Sequence, residues 1–298
     1  MKELHPDLSI GQLCGLFGIS RQAYYNNKKR STKKLLETDQ VLKRIREIRL
    51  VHPRMGCRKI YDMIKVELHA ADIKLGRDKL FDLLAENHML IRNRRRRVWT
   101  TNSYHSFRKY KNLIKEFVPY QANQLWVSDI TYIKNNEEFK YLFLITDAYS
   151  KKVVGYKFAQ SLETEHAISS LKQALESTNQ TEGLIHHSDR GIQYCSYNYV
   201  NLLQDYGIKI SMTENSDPRE NSIAERVNGI LKQEYIEPLK KNKKMGLGEI
   251  IDTAIYRYNG LRPHMSCDMN TPIAAHKMNG SLKKRWKNYY KVKSININ

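Results

Sequence analysis

Two spacings of apolar residues divide this chain. Up to about residue 97 the apolar positions recur every three or four residues, the period of helices with one buried face. Residues 9–30 predict two short helices. Ser9 is the first N-cap, Leu13, Leu16 and Phe17 form the apolar stripe, Gly18 breaks the helix, and Ser20 caps a second one carrying Arg21, Gln22, Tyr24 and Tyr25. A helix over 39–50 turns Val41, Leu42, Ile45 and Ile48 inward, with Lys43, Arg44, Arg46 and Arg49 elsewhere, and His52-Pro53 ends it. Beyond Gly56, a helix with Ile60, Met63, Ile64 and Leu68 on one side precedes another from about Arg77 to His88 bearing Leu80, Phe81, Leu83 and Leu84.

From Leu125 the texture becomes that of strands, rich in β-branched and aromatic residues. Residues 125–133, 139–146 and 152–158 predict three strands, with turns at Asn135-Asn136 and Tyr149-Ser150. A helix over 163–177 turns Ala167, Ile168, Leu171, Ala174 and Leu175 inward. A strand at 184–187, a helix at 197–206 and a strand at 208–212 follow. The polar, turn-rich stretch 213–221 predicts a mobile loop. In the helix after it, Ile223, Val227 and Ile230 share a face and Glu225 lies on the other. Asn228, Gly229 and Lys232 are three, four and seven residues on from Glu225, and so share its side. Residues 247–258 predict an amphipathic helix. The element order implies a mixed five-stranded sheet with helices on both faces.

Charge adds a second division. The chain has 298 residues and a formal charge of +20. Residues 1–117 hold 27 Lys and Arg against 12 Asp and Glu, residues 118–280 hold 18 against 19, and residues 281–298 hold six basic residues and no acidic one. Two basic arms around a nearly neutral middle are the electrostatic footprint of a nucleic-acid binder. The helix pairs of the N-terminal arm have helix-turn-helix character, with Arg21 and Arg58 as candidate DNA contacts. Arg92 and Arg94, Arg95, Arg96 and Arg97 suit a phosphate clamp, because the guanidinium fork contacts phosphate bidentately. No apolar run is long enough to span a membrane, and the first residues lack the apolar core of a signal peptide. Cys14, Cys57, Cys195 and Cys267 are scattered without a C-x-x-C pair, which argues for reduced thiols and against a zinc site.

The candidate chemistry is carboxylate chemistry. Asp129 lies in a strand, Asp189 just past another, and Glu225 in a helix, with 35 residues between Asp189 and Glu225. Mg²⁺ takes oxygen ligands, and two such ions can clamp the attacking and leaving oxygens of a phosphodiester. Glu220 is the runner-up to Glu225 as third ligand, and Glu214 also competes. His186 and His187 fit packing and hydrogen bonding better than ligation, with His187 a candidate to orient Asp189 from behind. Gln193 and Tyr194 are candidates to touch a DNA strand or brace the site.

The ordered motifs Trp126-x-x-Asp129-Ile-Thr-Tyr132, His187-Ser-Asp189-Arg-Gly-x-Gln-Tyr194, Glu225 with Lys232 seven residues later, and Asn259-x-x-Arg262-Pro263-His264 with Thr271-Pro272 resemble a bacterial insertion-sequence transposase with a retroviral-integrase-type Asp-Asp-Glu core, the product of a second reading frame. Met55 and Cys267 stand where that family more often has Tyr and Leu. The resemblance implies an α/β ribonuclease-H-like catalytic core preceded by all-α helix-turn-helix units. It divides the chain into helix-turn-helix segments at 1–38 and 39–97, a linker at 98–120, a catalytic core at 121–236, and a C-terminal helical segment with a basic tail at 237–298. It implies catalytic and metal-binding roles for Asp129, Asp189 and Glu225 with two Mg²⁺ or Mn²⁺ ions, and DNA contacts by Asn228, Gly229 and Lys232. It further implies cleavage at element ends followed by 3′-hydroxyl strand transfer, terminal inverted repeats and target DNA as partners, a homo-oligomer on DNA, fusion to an upstream-frame product, and a bacterial cytoplasmic, nucleoid-associated location. Two other readings stay open on the residues alone: a different ribonuclease-H-like nuclease, and a DNA-binding regulator without activity.

Overall fold

The computed structural model describes residues 6–91, 106–135, 138–178, 180–214, 220–242 and 244–283. Arg92 and Arg94 to Arg97, most of the loop before Glu220 and the basic tail lie outside them. The chain divides into two compact units, Met1–Val51 with Ile64–Gly76, and His52–Met63 with Arg77–Asn298.

In the first unit, α1 (Ile10–Leu16) begins with a reciprocal capping box. Ser9 Oγ accepts the Gln12 N–H, and Gln12 Oε1 accepts the Ser9 N–H. Gly18, at φ +64°, ends α1, and Ser20 Oγ caps α2 through the Ala23 N–H at 3.0 Å. Reversal at Gly18 turns the Leu13–Cys14 side of α1 inward, so Leu16 and Phe17, expected in the apolar stripe, are exposed. Two helices are expected across 21–50, but α2 is one helix, Arg21–Val51. The physical reason is composition, since neither Gly nor Pro occurs between Arg21 and Val51. Val41, Leu42, Ile45 and Ile48 are buried as the spacing predicts. Helix α3 (Cys57–Ala70) passes from the second unit into the first, where Glu67 takes a two-pronged hydrogen bond from Arg44, 2.8 Å on each arm.

In the second unit, α4 (Arg77–Glu86) buries Leu80 and Leu84. The strands are β1 (Leu125–Asn135), β2 (Glu138–Asp147), β3 (Val153–Ala159), β4 (Ile185–Ser188) and β5 (Lys209–Met212), each within two residues of its expected bounds. Among the described residues they form one sheet of order β3-β2-β1-β4-β5. Strands β1, β2 and β3 pair antiparallel, and β1, β4 and β5 pair parallel. That is the ribonuclease-H-like mixed sheet.

One face carries α5 (Thr164–Glu176), α6 (Ile192–Cys195) and α7 (Tyr197–Asp205) over Trp126, Phe143, Ile145 and Val154. The other carries α8 (Ser222–Ile230), a π-helical turn (Leu231–Ile236) continuing into α9 (Glu237–Leu239), and α10 (Leu247–Gly260) over Ile133, Leu142, Leu144 and Val153. Alternate residues of β2 therefore feed opposite layers, as the strand period requires. Gly155 lets α5 lie directly on β3. A Cβ there would stand 2.1 Å from the Ser170 carbonyl oxygen.

The stretch expected as a linker is docked where it is described. Leu113 N–H donates to Ser211 Oγ (2.8 Å), Asn112 N–H to Glu214 Oε1 (3.1 Å), and the Phe107 ring meets Tyr197 edge-on. It has apolar side chains to bury, and β5 is an edge strand that it covers. No helix among the described residues is long and apolar enough to cross a membrane.

Candidate active site

The site starts from strand register. Val127 of β1 pairs in parallel with His187 of β4. Asp129 lies two residues farther along β1 and Asp189 just past the end of β4, near enough for the charge of Asp189 to act on the Asp129 carboxyl. Helix α8 crosses this face and is tied to β1 twice. Asn221 Nδ2 donates to the Ser128 carbonyl oxygen (2.9 Å), and Asn228 Nδ2 donates to Asp129 Oδ2 (2.6 Å). Asp129 Oδ1 accepts the Ile130 N–H, and Asp189 Oδ1 accepts the Gly191 N–H.

Burial raises the Asp129 carboxyl from 3.8 to about 8. The charge of Asp189 adds to this, and that of Glu225 contributes less, against the opposing hydrogen bonds from Asn228 and Ile130. Glu225 is exposed on α8, and partial burial raises its pKa. Lys232 is half-buried. Burial lowers its pKa, while Glu237 and, to a smaller extent, Asp129 oppose that shift. Gly229 meets nothing in the chain where a Cβ would stand, so that stretch of α8 is open to a ligand.

The other named residues sort themselves by contact. Asn228, expected to contact DNA, is buried and its amide nitrogen is committed to Asp129. Its spacing from Glu225 follows the helix repeat, but Asn228 faces the strand. His187, expected behind Asp189, shares its Nδ1 with Ser211 Oγ at 2.8 Å. His186 Nε2 meets Ser128 Oγ and Tyr199 Oη. Burial pushes His186 down to about 3 and His187 to about 4, so both stay neutral. Tyr194 is buried among the His186 and Tyr199 rings, and Gln193 Nε2 donates to the Leu162 carbonyl oxygen at 2.7 Å. Glu214 is held by Lys115 and the Asn112 N–H, and Glu220 Oε2 accepts the Glu214 N–H. Those bonds give both carboxylates work in the loop. Arg21 and Arg58 are exposed.

The donor set suits a hard cation. It consists of oxygens, and a carboxyl raised to about 8 by burial and a neighbouring acid is one that a divalent ion would relieve. The buried side-chain oxygen of Asn228 has no hydrogen-bond partner beside it and could accept from a metal-bound water. Among the described residues no three His, Cys, Asp or Glu side chains already converge closely enough to hold an ion.

Two models described as integrase core domain match residues 119–218 and 206–272. The insertion element IS600 uncharacterized 31 kDa protein of Shigella sonnei is 33% identical over 266 residues, covering 88% of this chain and 96% of that protein. The transposase for insertion sequence element IS629 of Shigella sonnei is 30% identical over 245 residues, covering 79% and 80%. The chain belongs to the insertion-sequence transposases. The magnesium complex of the HTLV-2 integrase catalytic core has 23% identity and a TM-score of 0.46, over 53% of this chain and 99% of that one.

The C-terminal signature of the transposase is scaffolding around this site. Asn259 acts as a substitute strand neighbour for β3, accepting the Val153 N–H and donating to the Val153 carbonyl oxygen, both at 2.9 Å. Thr271 caps α11 (Pro272–Ala275). Arg262 is buried and grips Glu234 of the π-helical turn with two 2.8 Å bonds. Asn221 and Glu234 are positions that sequence patterning does not single out, and the bond from Asn228 to Asp129 is a contact that it does not predict. An amide at a helix start, and an acid on the helix followed by an Arg of the signature, were the available signals.

Proposed function

We propose that the transposase cleaves DNA at element ends and joins the freed 3′-hydroxyl to target DNA, with Asp129, Asp189 and Glu225 as its catalytic and metal-binding acids. The observation that carries this is the parallel pairing that sets Asp129 beside Asp189 under the helix bearing Glu225. Two Mg²⁺ or Mn²⁺ ions held there would supply Lewis-acid polarisation and a clamp on the reacting oxygens. Asp129 would give up its carboxyl proton to hold a cation, and the Asn228 amide keeps its Oδ2 aimed. Lys232 holds a phosphate of the DNA end, and open space at Gly229 admits the strand. Burial of β1 and β4 around the acids limits water and strengthens each of these interactions.

Residues 1–97 supply DNA affinity, with Arg21, Arg58, Arg92 and Arg94 to Arg97 contacting phosphates. Membership of the family supports terminal inverted repeats and target DNA as ligands, a homo-oligomer on DNA, joining to an upstream-frame product, and a nucleoid location. The test is a nicking and strand-transfer assay on duplexes made from the DNA bordering the gene. Asp129→Asn, Asp189→Asn and Glu225→Gln should each abolish both steps. An Asp129→Asn protein that still cuts removes Asp129 from the site.

A further inference from the structure

Helix α8 does not continue as an α-helix. From Leu231 to Ile236 the backbone is π-helical, with one more residue in each hydrogen-bonded turn. Such turns are rare, occur mostly as single-turn bulges inside α-helices, and persist where surrounding contacts hold them. Here the contacts grip the downstream end. Glu234 accepts Arg262 Nε on Oε2 and Arg262 Nη2 on Oε1, both at 2.8 Å, and Lys59 Nζ stands 3.5 Å from Oε1. Side-chain exposure is 2% for Arg262, 18% for Glu234 and 14% for Lys59, so the cluster is shielded from water. The Arg262 guanidinium also lies over the Tyr258 ring of α10, 5.8 Å from its centre. At the next residue, the Tyr235 hydroxyl meets His52 Nδ1 at 2.8 Å. The upstream end is gripped by Asn221 and Asn228 on β1. Lys232 lies between these two grips, four residues and about one helical turn beyond the Asn228 that bonds Asp129.

We propose that Glu234 is a positioning residue for transposition: its ion pairs with Arg262 and Lys59 hold the π-helical turn and so place Lys232 beside Asp129. Lys59 precedes the catalytic core by more than sixty residues, so the grip also ties the helical arm's 52–63 segment to the turn. If Glu234 is released, the turn can relax toward α-helical winding and carry Lys232 out of place. The inference rests on the reading of Lys232 as the phosphate contact.

The test is a double-mutant cycle on the full chain. Its readout is fluorescence anisotropy of a labelled duplex made from the DNA bordering the gene, without added metal. Lys232→Ala and Glu234→Gln should each weaken binding about tenfold, the loss expected for one charge-assisted phosphate contact. The double variant should bind no worse than Lys232→Ala alone, because Glu234 acts through Lys232. A purely structural Glu234 would instead give multiplied losses near a hundredfold, which overturns the positioning role and leaves the Lys232 reading standing. No loss in Lys232→Ala overturns both. Should Glu234→Gln fail to fold, Arg262→Lys takes its place in the cycle. It keeps the charge and removes the fork, with the same outcomes on either side.

Discussion

Replacing Asp129 with Asn tests the electrostatics of the site without the reaction. In the metal-free protein its carboxyl has a pKa raised from 3.8 to about 8. At pH 7 the native state therefore keeps a proton that the unfolded chain gives up. Holding it costs about 1.4 kcal/mol for each pH unit above 3.8, or about 4 kcal/mol at pH 7. The sign follows directly: an acid raised in the folded state makes stability fall as pH climbs from its unfolded pKa toward its folded one. Asp129→Asn removes this slope at nearly constant shape, and its amide offers a donor to the unpartnered Asn228 oxygen. Relaxation of the native site lowers the gain, so the variant should be more stable by about 2–4 kcal/mol at pH 7 and by less than half of that at pH 5. Urea unfolding with a chelator present, at both pH values, measures it. Divalent metal should reverse the order, since it stabilises the wild type by mass action and the variant much less. A variant less stable than wild type at pH 7, or a difference that does not change with pH, refutes the argument.

Other outcomes follow from the same structure. Mg²⁺ must displace the Asp129 proton below about pH 8, so calorimetric affinity should rise up to about tenfold per pH unit from 6 to 8 and flatten above. Glu225→Gln should abolish nicking while Glu214→Gln retains it, since Glu214 is bonded to Lys115 and Asn112; loss of nicking in Glu214→Gln with activity in Glu225→Gln would reverse the assignment. Converting Arg94 to Arg97 to Gln should weaken DNA binding and flatten the salt dependence by about 0.9 in log–log slope for each phosphate no longer neutralised, read from titrations at several salt concentrations. Gly155→Ala should lower the thermal midpoint sharply, by a loss on the order of 3 kcal/mol or more, because the clash is with backbone of α5 and cannot be relieved by a side chain.

Periodicity was enough to determine most of the element list. Strand and helix spacings placed the five strands, α5 and α7 to within two residues, because each element's burial pattern is written locally in its side chains. The Asp129, Asp189 and Glu225 motifs were legible for the same reason, together with the resemblance they carry. Continuity of α2 needs only the absence of a breaker, which outweighs the Ser20 cap and the separate apolar stripe that begins at Val41. Other features depended on tertiary structure. Nothing in β1 or β4 alone says that they are neighbours; the parallel register does, and it is what brings Asp129 to Asp189. The same helical spacing that put Asn228 on Glu225's side could not say which residues of α8 meet β1, and that packing commits its amide to Asp129. The π-helical turn is likewise invisible to a 3.6-residue period, since it is held by Arg262 and Lys59, which lie 28 residues after and 175 before Glu234 in the chain. Local sequence selects backbone conformation because its causes lie within a few residues, whereas the pairing of charges across such distances is set by which surfaces pack, and only the folded chain decides that.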